Sequence, residues 1–299
     1  MSEFILHHYP MSPFSEKIRL IFGYKQLAWH SVTIPAIMPK PDLMALTGGY
    51  RRTPVMQIGA DIYCDTALIA EVIEQHAPQR SLYQAPIADA ARTLAQWADS
   101  TLFWTVIPYV FQPQGFQEMF GAAPPEYVKA FGADRAAMRG GAKSISPDEA
   151  TASLKVYLAR FDAMLANSGA FLLGNEPCIA DFSVYHCIWF VQRVTCLNSI
   201  LQSAPQVLAW YARMQAFGHN EVHDLSSGAA IEIARAASPS GSNSGPVLGI
   251  TPSDYAFDTV QGEVVIDELN HIALLREDVR AGKVAVHFPR IGFRTEAMA

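Results

Sequence analysis

The chain has 299 residues, of which 50% are hydrophobic and 11% aromatic, and its formal net charge is −6. The length predicts two or three domains, and the apolar content is typical of packed cores, which excludes a disordered chain. The acidic balance, without a basic cluster interleaved with aromatic residues, argues against a nucleic-acid partner.

The termini, apolar runs and cysteines indicate the compartment. The first residues lack the basic segment and long apolar stretch of a secretory signal, and no apolar run reaches the roughly 18–20 residues that span a bilayer. The four cysteines (Cys64, Cys178, Cys187 and Cys196) show neither C-x-x-C nor His/Cys metal spacing. We therefore expect a cytoplasmic protein with reduced thiols, no membrane partner and no metal.

The first 80 residues alternate strand and helix patterns. A strand–helix–strand unit implies two parallel strands joined by a right-handed crossover. The predicted elements are a strand at 4–9, a helix at 13–24, a strand at 29–34, a brief helical turn at 39–47, a hairpin of strands at 53–58 and 61–64, and a helix that Asp65 caps and Pro78 stops. The order β-α-β-α-β-β-α is the thioredoxin-like arrangement.

Residues 87–234 have a helical pattern. Helices are predicted near 89–110, near 148–165 and from 179 onward, and the stretch 112–146, rich in Gly, Pro and aromatic residues, is looser.

The C-terminal fifth changes character. Small and polar residues at 235–246 predict a flexible linker. Beyond it, residues 247–299 predict a small β-rich module with strands at 262–267, 271–275 and 283–288 and a fourth at 291–295. These strands are compatible with a small barrel-like unit or with an added sheet.

The stretch 7–19 ends a strand, turns, and begins a helix at Ser12 with Pro13 in its first position. Unpaired N–H groups and the positive end of the helix dipole converge there and favour an anion, whether a phosphate, a carboxylate or a thiolate. The alternative is that Ser12 only caps the helix through its side-chain oxygen.

Four motifs then follow in order: Ser12-Pro13-Phe14-Ser15, Thr53-Pro54, Asp65-Thr66, and a segment from Gly174 to Asp181. Together they resemble the glutathione S-transferase superfamily, with a serine-type entry as in the tau, phi and zeta classes. The resemblance implies an α/β thioredoxin-like glutathione-binding domain at 1–80 and an all-α second domain at 87–234. It also implies a homodimer. The β-rich region 247–299 lies outside the usual architecture of the family.

The resemblance assigns roles to the motif residues. Ser12 is the catalytic hydroxyl that donates to the glutathione sulfur and favours the nucleophilic thiolate, with Phe14 beside it. A cis peptide bond at Thr53-Pro54 presents the backbone of Thr53 to the cysteinyl unit of glutathione. Asp65 meets the γ-glutamyl ammonium and Thr66 its carboxylate.

Further residues complete the expected site. Lys40 and Arg52 are expected to bind the glycyl carboxylate, although each is as readily a solvated surface cation. Asp181 is a structural helix cap, with Cys178 in the position where the family has Ser or Thr. Plausible walls of an acceptor pocket are Trp104, Tyr109, Phe111, Phe116 and Phe120, although aromatic residues at helical spacing more often belong to the core.

The resemblance therefore implies an enzyme, a glutathione transferase, in which glutathione is the co-substrate and no metal takes part. The thiolate attacks a hydrophobic electrophilic small molecule. Two alternatives remain open at this point. One is a glutathione-dependent isomerase or reductase that uses the same site. The other is a non-catalytic glutathione-binding or ligand-sensing scaffold that acts through residues 247–299.

Overall fold

A computed structural model describes residues 3–141, 144–241 and 245–298. The strands are β1 (Ile5–His8), β2 (Trp29–Thr33), β3 (Val55–Ile58), β4 (Asp61–Cys64), β5 (Val222–Asp224), β6 (Val247–Pro252), β7 (Val260–Asp267), β8 (His271–Asp278), β9 (Gly282–Pro289) and β10 (Phe293–Ala297). The helices are α1 (Pro13–Lys25), α2 (Pro41–Thr47), α3 (Thr66–His76), α4 (Ala88–Trp97), α5 (Phe103–Val110), α6 (Pro113–Phe120), α7 (Pro125–Arg139), α8 (Pro147–Ser168), α9 (Ile179–Arg193), α10 (Pro205–Gln215) and α11 (Ser227–Ala236). A 3-10 helix, Asn198–Ser203, precedes α10.

The N-terminal elements confirm the thioredoxin-like prediction. β1 pairs in parallel with β2 and antiparallel with β3, and β3 forms an antiparallel hairpin with β4. α1 buries the apolar face that its sequence spacing predicts, including Ile18, Ile21 and Phe22. The turn before α1 and the hairpin before α3 therefore lie where the sequence places them.

The region 87–234 is mainly helical, with three differences from the sequence pattern. The helix expected at 89–110 is divided, because a π-helical segment, Ala98–Leu102, joins α4 to α5. The looser stretch 112–146 contains α6 and α7, and two residues of it, 142 and 143, lie outside the described residues. The short strand β5 pairs in parallel with β2. No helix among the described residues is long and apolar enough to cross a membrane.

The C-terminal strands extend the sheet of the first domain, which decides between the two alternatives that the sequence left open. The described residues form one sheet in the order β10-β6-β7-β8-β9-β4-β3-β1-β2-β5. β9 pairs in parallel with β4, with Tyr63 opposite His287. Alternation along β9 buries Val284, Val286 and Phe288 on one face of this sheet. We call residues 245–298 the C-terminal extension.

Helices cover both faces of the sheet. One core joins α1 and α3 to the helical region, and a second joins α2 and α11 to the strands of the extension. The predicted linker 235–246 begins in α11 and includes residues 242–244, which lie outside the described residues. Within it, the backbone N–H and hydroxyl of Ser240 donate to the Asp61 carboxylate at 2.9 and 2.8 Å. The boundaries of the predicted domains stay predictions.

Candidate functional site

A cavity of about 590 Å³ lies where the first domain, α4 and the C-terminal extension meet. This volume is within the range of small-molecule sites. The lining residues are Phe14, Lys17, Tyr50, Arg52, Thr53, Pro54, Asp65, Thr66, Ala67, Leu68 and Glu71 from the first domain, Tyr83, Arg92, Ala95, Gln96, Asp99, Ser100 and Ile179 from the following region, and Ser253, Asp254, Tyr255, Leu269, Asn270, Pro289, Arg290, Ile291 and Gly292 from the extension.

The cavity brings together most of the residues that the sequence assigns to glutathione binding. The predicted residues that line it are Phe14, Arg52, Thr53, Pro54, Asp65 and Thr66. The Thr53–Pro54 peptide bond is cis, as predicted. Ser12 and Lys40 are not among the described residues that line the cavity.

Ser12 begins α1 as its N-cap. Its Oγ accepts a hydrogen bond from the backbone N–H of Ser15 at 3.2 Å, and the residue is 2% exposed. The backbone N–H of Ser12 donates to the Tyr9 carbonyl at 3.1 Å. Burial raises the pKa of the Tyr9 phenol, and the nearby Arg135 and Ser12 oppose the rise. The structure thus shows the capping role of Ser12, and its role toward sulfur stays a prediction.

Asp65 caps α3 in an unusual backbone conformation. Its φ of 77° lies in the region that non-glycine residues rarely adopt, and its carboxylate accepts the N–H of Ala67 at 2.9 Å. Backbone strain of this kind costs about 1–3 kcal/mol and is concentrated at functional sites. Burial raises the pKa of Asp65, and the hydrogen bond from the Ala67 N–H and the positive charge of Arg52 offset only part of this rise. Within the described ranges, no Lys or Arg forms an ion pair with this carboxylate.

A buried network supports the floor beside Asp65. Lys17 Nζ donates to Thr66 Oγ1 at 3.2 Å and to Asp99 Oδ2 at 2.6 Å, and the Lys17 side chain is fully buried. Asp99 Oδ1 lies 2.9 Å from His186 Nε2. Burial raises the pKa of Asp99, but Lys17 and His186 outweigh it and bring the pKa to about 2. Because the Thr66 oxygen accepts from Lys17, its own proton is available to a ligand in the cavity.

The two predicted cations have internal partners. The buried Lys40 Nζ donates to the Arg51 carbonyl at 3.2 Å and to Thr53 Oγ1 at 3.1 Å. Burial and, less strongly, Arg135 lower the pKa of Lys40 to about 8. Arg52 donates from Nη2 to the Asp254 carboxylate and to the Tyr255 carbonyl. Lys40 therefore braces the Arg51–Thr53 turn, and Arg52 joins the cavity wall to the extension.

The aromatic residues predicted for an acceptor pocket lie outside the cavity lining. Trp104 contacts the ring of Tyr255 edge to face, with the centroids 5.3 Å apart. The Tyr109 hydroxyl donates to the Leu197 carbonyl at 2.6 Å in the core of the helical region. Phe111 stands among other phenylalanine rings, those of Phe120, Phe131 and Phe190, and Phe116 packs on Phe120.

Sequence reasoning missed Lys17, Asp99 and Tyr255 as site residues. Lys17 had a signal, because it lies three residues after Phe14 and therefore on the apolar face of α1, where a lysine requires a buried partner. Asp99 lies in the π-helical segment, a feature common at functional sites but invisible in the sequence pattern. Tyr255 reaches the cavity only because the extension joins β4.

The predicted cap is present in the helical region. Asp181, which is fully buried, accepts the backbone N–H of Leu172 at 2.9 Å and of Cys178 at 3.0 Å, and the indole N–H of Trp210 at 2.9 Å. Cys178 Sγ lies 3.3 Å from the same carboxylate. Asp181 therefore has a structural role in the start of α9.

Comparison with known proteins decides the family. Residues 6–81 match the model of the glutathione S-transferase N-terminal domain, and residues 140–217 match that of the C-terminal domain. The crystal structure of a GST-like protein from Pseudomonas syringae is 41% identical, and the match covers 100% of both chains with a TM-score of 0.83. This chain belongs to the glutathione S-transferase superfamily.

More distant solved structures share the fold. A glutathione S-transferase from Rhodospirillum rubrum F11 is 18% identical with a TM-score of 0.55, over 71% of this chain and 88% of its own. The beta-etherase LigF from Sphingobium sp. strain SYK-6 is 16% identical with a TM-score of 0.53, over 72% of this chain and 96% of its own. A search among curated proteins found no match. No group of three or more potential metal ligands occurs among the described residues of this superfamily member.

Proposed function

We propose that this superfamily member is a glutathione transferase that holds glutathione as a thiolate and transfers it to a hydrophobic electrophile. One observation carries the proposal. Thr53, Asp65 and Thr66 line a single cavity together. The family resemblance assigns the first to the cysteinyl unit of glutathione and the other two to the ammonium and carboxylate of its γ-glutamyl unit.

The polar groups of the cavity fit the γ-glutamyl end of glutathione. The Asp65 carboxylate is a suitable partner for the γ-glutamyl ammonium, since an opposite charge relieves the cost of burying it. The hydroxyl proton of Thr66 and the N–H groups at the start of α3 suit the neighbouring carboxylate. Thr53 offers its backbone to the cysteinyl unit.

Isothermal titration of the full chain with glutathione tests the binding step. Asp65→Asn keeps the shape and the cap of α3 but removes the charge, so we expect about a tenfold or greater loss of affinity. The matched control is Asp162→Asn, which changes another carboxylate that accepts backbone N–H groups, at the start of α10. Absence of glutathione binding to the wild type would refute the proposal.

The proposed role of Ser12 is to donate a hydrogen bond to the glutathione sulfur. Ser12→Ala also removes the cap of α1, which costs about 0.5–2 kcal/mol. Ser226→Ala is the matched control, because Ser226 caps α11 in the same manner through the N–H of Ala229 at 3.1 Å. We expect only Ser12→Ala to raise the pKa of bound thiol, measured by thiolate absorbance against pH. An unchanged thiol pKa would assign Ser12 to capping alone.

We further propose that the protein is cytoplasmic, as its cysteine pattern indicates, and that it forms a homodimer, as the family resemblance implies. Light scattering coupled to gel filtration tests the second point. A dimer has twice the 32.8 kDa mass of the chain, and a species at the single-chain mass would refute it.

A further inference from the structure

The strand β10 forms one edge of the sheet. It pairs with β6 on one side, and no strand of the described part of the chain lies on its other side. Residues 294–297 are exposed. An exposed strand edge presents unpaired backbone N–H and C=O groups and is a template for pairing with another chain. We call the outward side of this strand the β10 edge, and it is a candidate docking surface for a further strand.

The hydrogen bonds between β10 and β6 fix which backbone groups face outward. The Ser253 N–H donates to the Gly292 carbonyl at 2.9 Å, and the Met298 N–H donates to the Val247 carbonyl at 3.2 Å. Residues that exchange hydrogen bonds alternate with residues that do not in an antiparallel pair, so the even-numbered residues of β10 bond to β6. The backbone N–H and C=O groups point outward in the odd-numbered residues, which are Phe293, Thr295 and Ala297.

The β10 edge carries one basic and one acidic side chain on the same face of the strand. Phe293 packs on the core that α2 and α11 share with the extension, so Arg294 and Glu296 lie on the opposite face by alternation. Both are exposed, and neither forms an ion pair with another residue that the structure describes. The two charges therefore stand on either side of Thr295 and are available to a partner strand.

We propose that the β10 edges of two copies of this chain pair antiparallel about Thr295 and join the two sheets into one. The inference rests on the proposed homodimer, for which it names the contact surface. With Thr295 opposite Thr295 of the second copy, each N–H donates to the C=O of the other residue, and Phe293 and Ala297 exchange the same bonds. Arg294 of each copy then lies opposite Glu296 of the second copy.

The charges select this register over its neighbours. Outward backbone groups must face outward groups, so the nearest alternatives place the symmetry axis on Arg294 or on Glu296. The first sets the two Arg294 side chains directly opposite each other, and the second does the same with the two Glu296 carboxylates. Like charges directly opposite destabilise a strand pair, whereas opposite charges stabilise it. The register centred on Thr295 is therefore the one that the side chains favour.

The proposed contact also closes at two chains. It uses the same surface on both copies, so it is isologous and leaves no second β10 edge for a third chain. The sheet ends on its other side at β5, which pairs with β2. A contact between β10 and β5 of another copy would be heterologous and would continue from chain to chain. The size of the assembly therefore separates the two contacts.

Charge reversal, followed by sedimentation velocity on the full chain, tests the pairing. Arg294→Glu gives the β10 edge two acidic side chains and Glu296→Arg gives it two basic ones, so each variant repels a copy of itself. We expect the dissociation constant of each variant to rise by about tenfold or more. An equimolar mixture of the two variants restores every opposite-charge contact, and we expect it to dimerise like the wild type. The control is Glu232→Arg, an equal change of charge at an exposed position of α11, which we expect to leave the dissociation constant unchanged.

A proline at the centre of the strand tests the backbone bonds separately. Thr295→Pro removes an outward N–H and none of the bonds to β6, and proline is tolerated on an edge strand in this position. We expect its dissociation constant to rise by about tenfold or more, since two central hydrogen bonds are lost. Thr295→Val keeps the N–H and is the matched control, which we expect to dimerise like the wild type.

The outcomes distinguish the contact from the proposals on which it rests. A wild type that sediments at the single-chain mass at about 100 μM would refute both the homodimer and the contact. A wild-type dimer that neither charge reversal weakens, a mixture of the two variants that stays monomeric, or assemblies larger than two chains would overturn the β10 contact alone. Titration with glutathione is independent, because residues 293–297 lie outside the cavity lining, and its failure would refute the transferase and leave the contact standing.

Discussion

Replacing Lys17 by methionine probes the buried network under the candidate glutathione site. The Lys17 ammonium is fully buried and lies 2.6 Å from Asp99 Oδ2. Methionine has a similar length and is apolar, so the substitution removes the charge with little change in volume. Asp99 then keeps a carboxylate whose main counter-charge is gone. Removing one partner of a buried ion pair costs about 3–5 kcal/mol, and we expect the free energy of unfolding to fall by that amount.

Urea denaturation followed by tryptophan fluorescence measures the change. The double variant Lys17→Met/Asp99→Asn removes both charges, while the amide oxygen introduced at position 99 can still accept from His186. We therefore expect the double variant to be more stable than Lys17→Met alone, with a coupling energy of about 1–3 kcal/mol. A loss below about 1 kcal/mol for Lys17→Met, or additive losses for the two substitutions, would show that the pair does not stabilise the fold as argued.

Three more predictions concern other parts of the fold. Gly23→Ala would place a Cβ atom 1.9 Å from the Gly218 carbonyl oxygen and should lower the free energy of unfolding by at least about 2 kcal/mol. Gly132→Ala, in a helix with open space around the residue, should raise the free energy of unfolding by about 0.5–1 kcal/mol. Equal urea midpoints for the two variants would contradict this. Asp181→Ala should lower the free energy of unfolding by about 3–5 kcal/mol, because it leaves several buried donors unpaired. A melting temperature within about 3 °C of that of the wild type would be inconsistent with the structural role of Asp181. Burial lowers the pKa of His7 from 6.5 to about 4, so the stabilising contribution of the neutral ring is complete above pH 6.5 and is lost as the pH falls toward 4. We expect protonation of His7 to account for about 2 kcal/mol of the stability lost at pH 5. A His7→Gln variant that loses as much stability between pH 7 and pH 5 as the wild type would refute this.

Much of the first domain follows from its sequence. The apolar spacing of α1, the Pro13 start and the Asp65 cap are local signals, and the structure places these elements where the signals predict. Thr53 precedes β3 and Asp65 follows β4, and these two strands form an antiparallel hairpin with Val55 opposite Cys64. For this reason Thr53, Asp65 and Thr66 come together in the lining of one cavity.

The partners of several predicted residues depend on contacts that local patterns do not contain. Arg52 lines the cavity, and its role toward a ligand carboxylate stays a prediction; its guanidinium contacts Asp254 and Tyr255, some 200 residues later in the chain. Tyr109 and Phe111 have the helical spacing of a pocket wall and of a core alike, and the structure places them in packed contacts away from the cavity.

The sequence by itself indicated the resemblance to the family, the order of the first elements and the capping roles of Asp65 and Asp181, because short-range spacing and local hydrogen bonds specify them. Only the tertiary structure decided where the C-terminal strands lie. Strand patterns define which residues alternate between faces, but not which sheet edge accepts the strand. The pairing of β9 with β4 joins the extension to the first domain and makes the extension a wall of the cavity. At this pairing, His287 Nε2 lies 2.8 Å from a carboxylate oxygen of Asp61, which is 226 residues away in the chain.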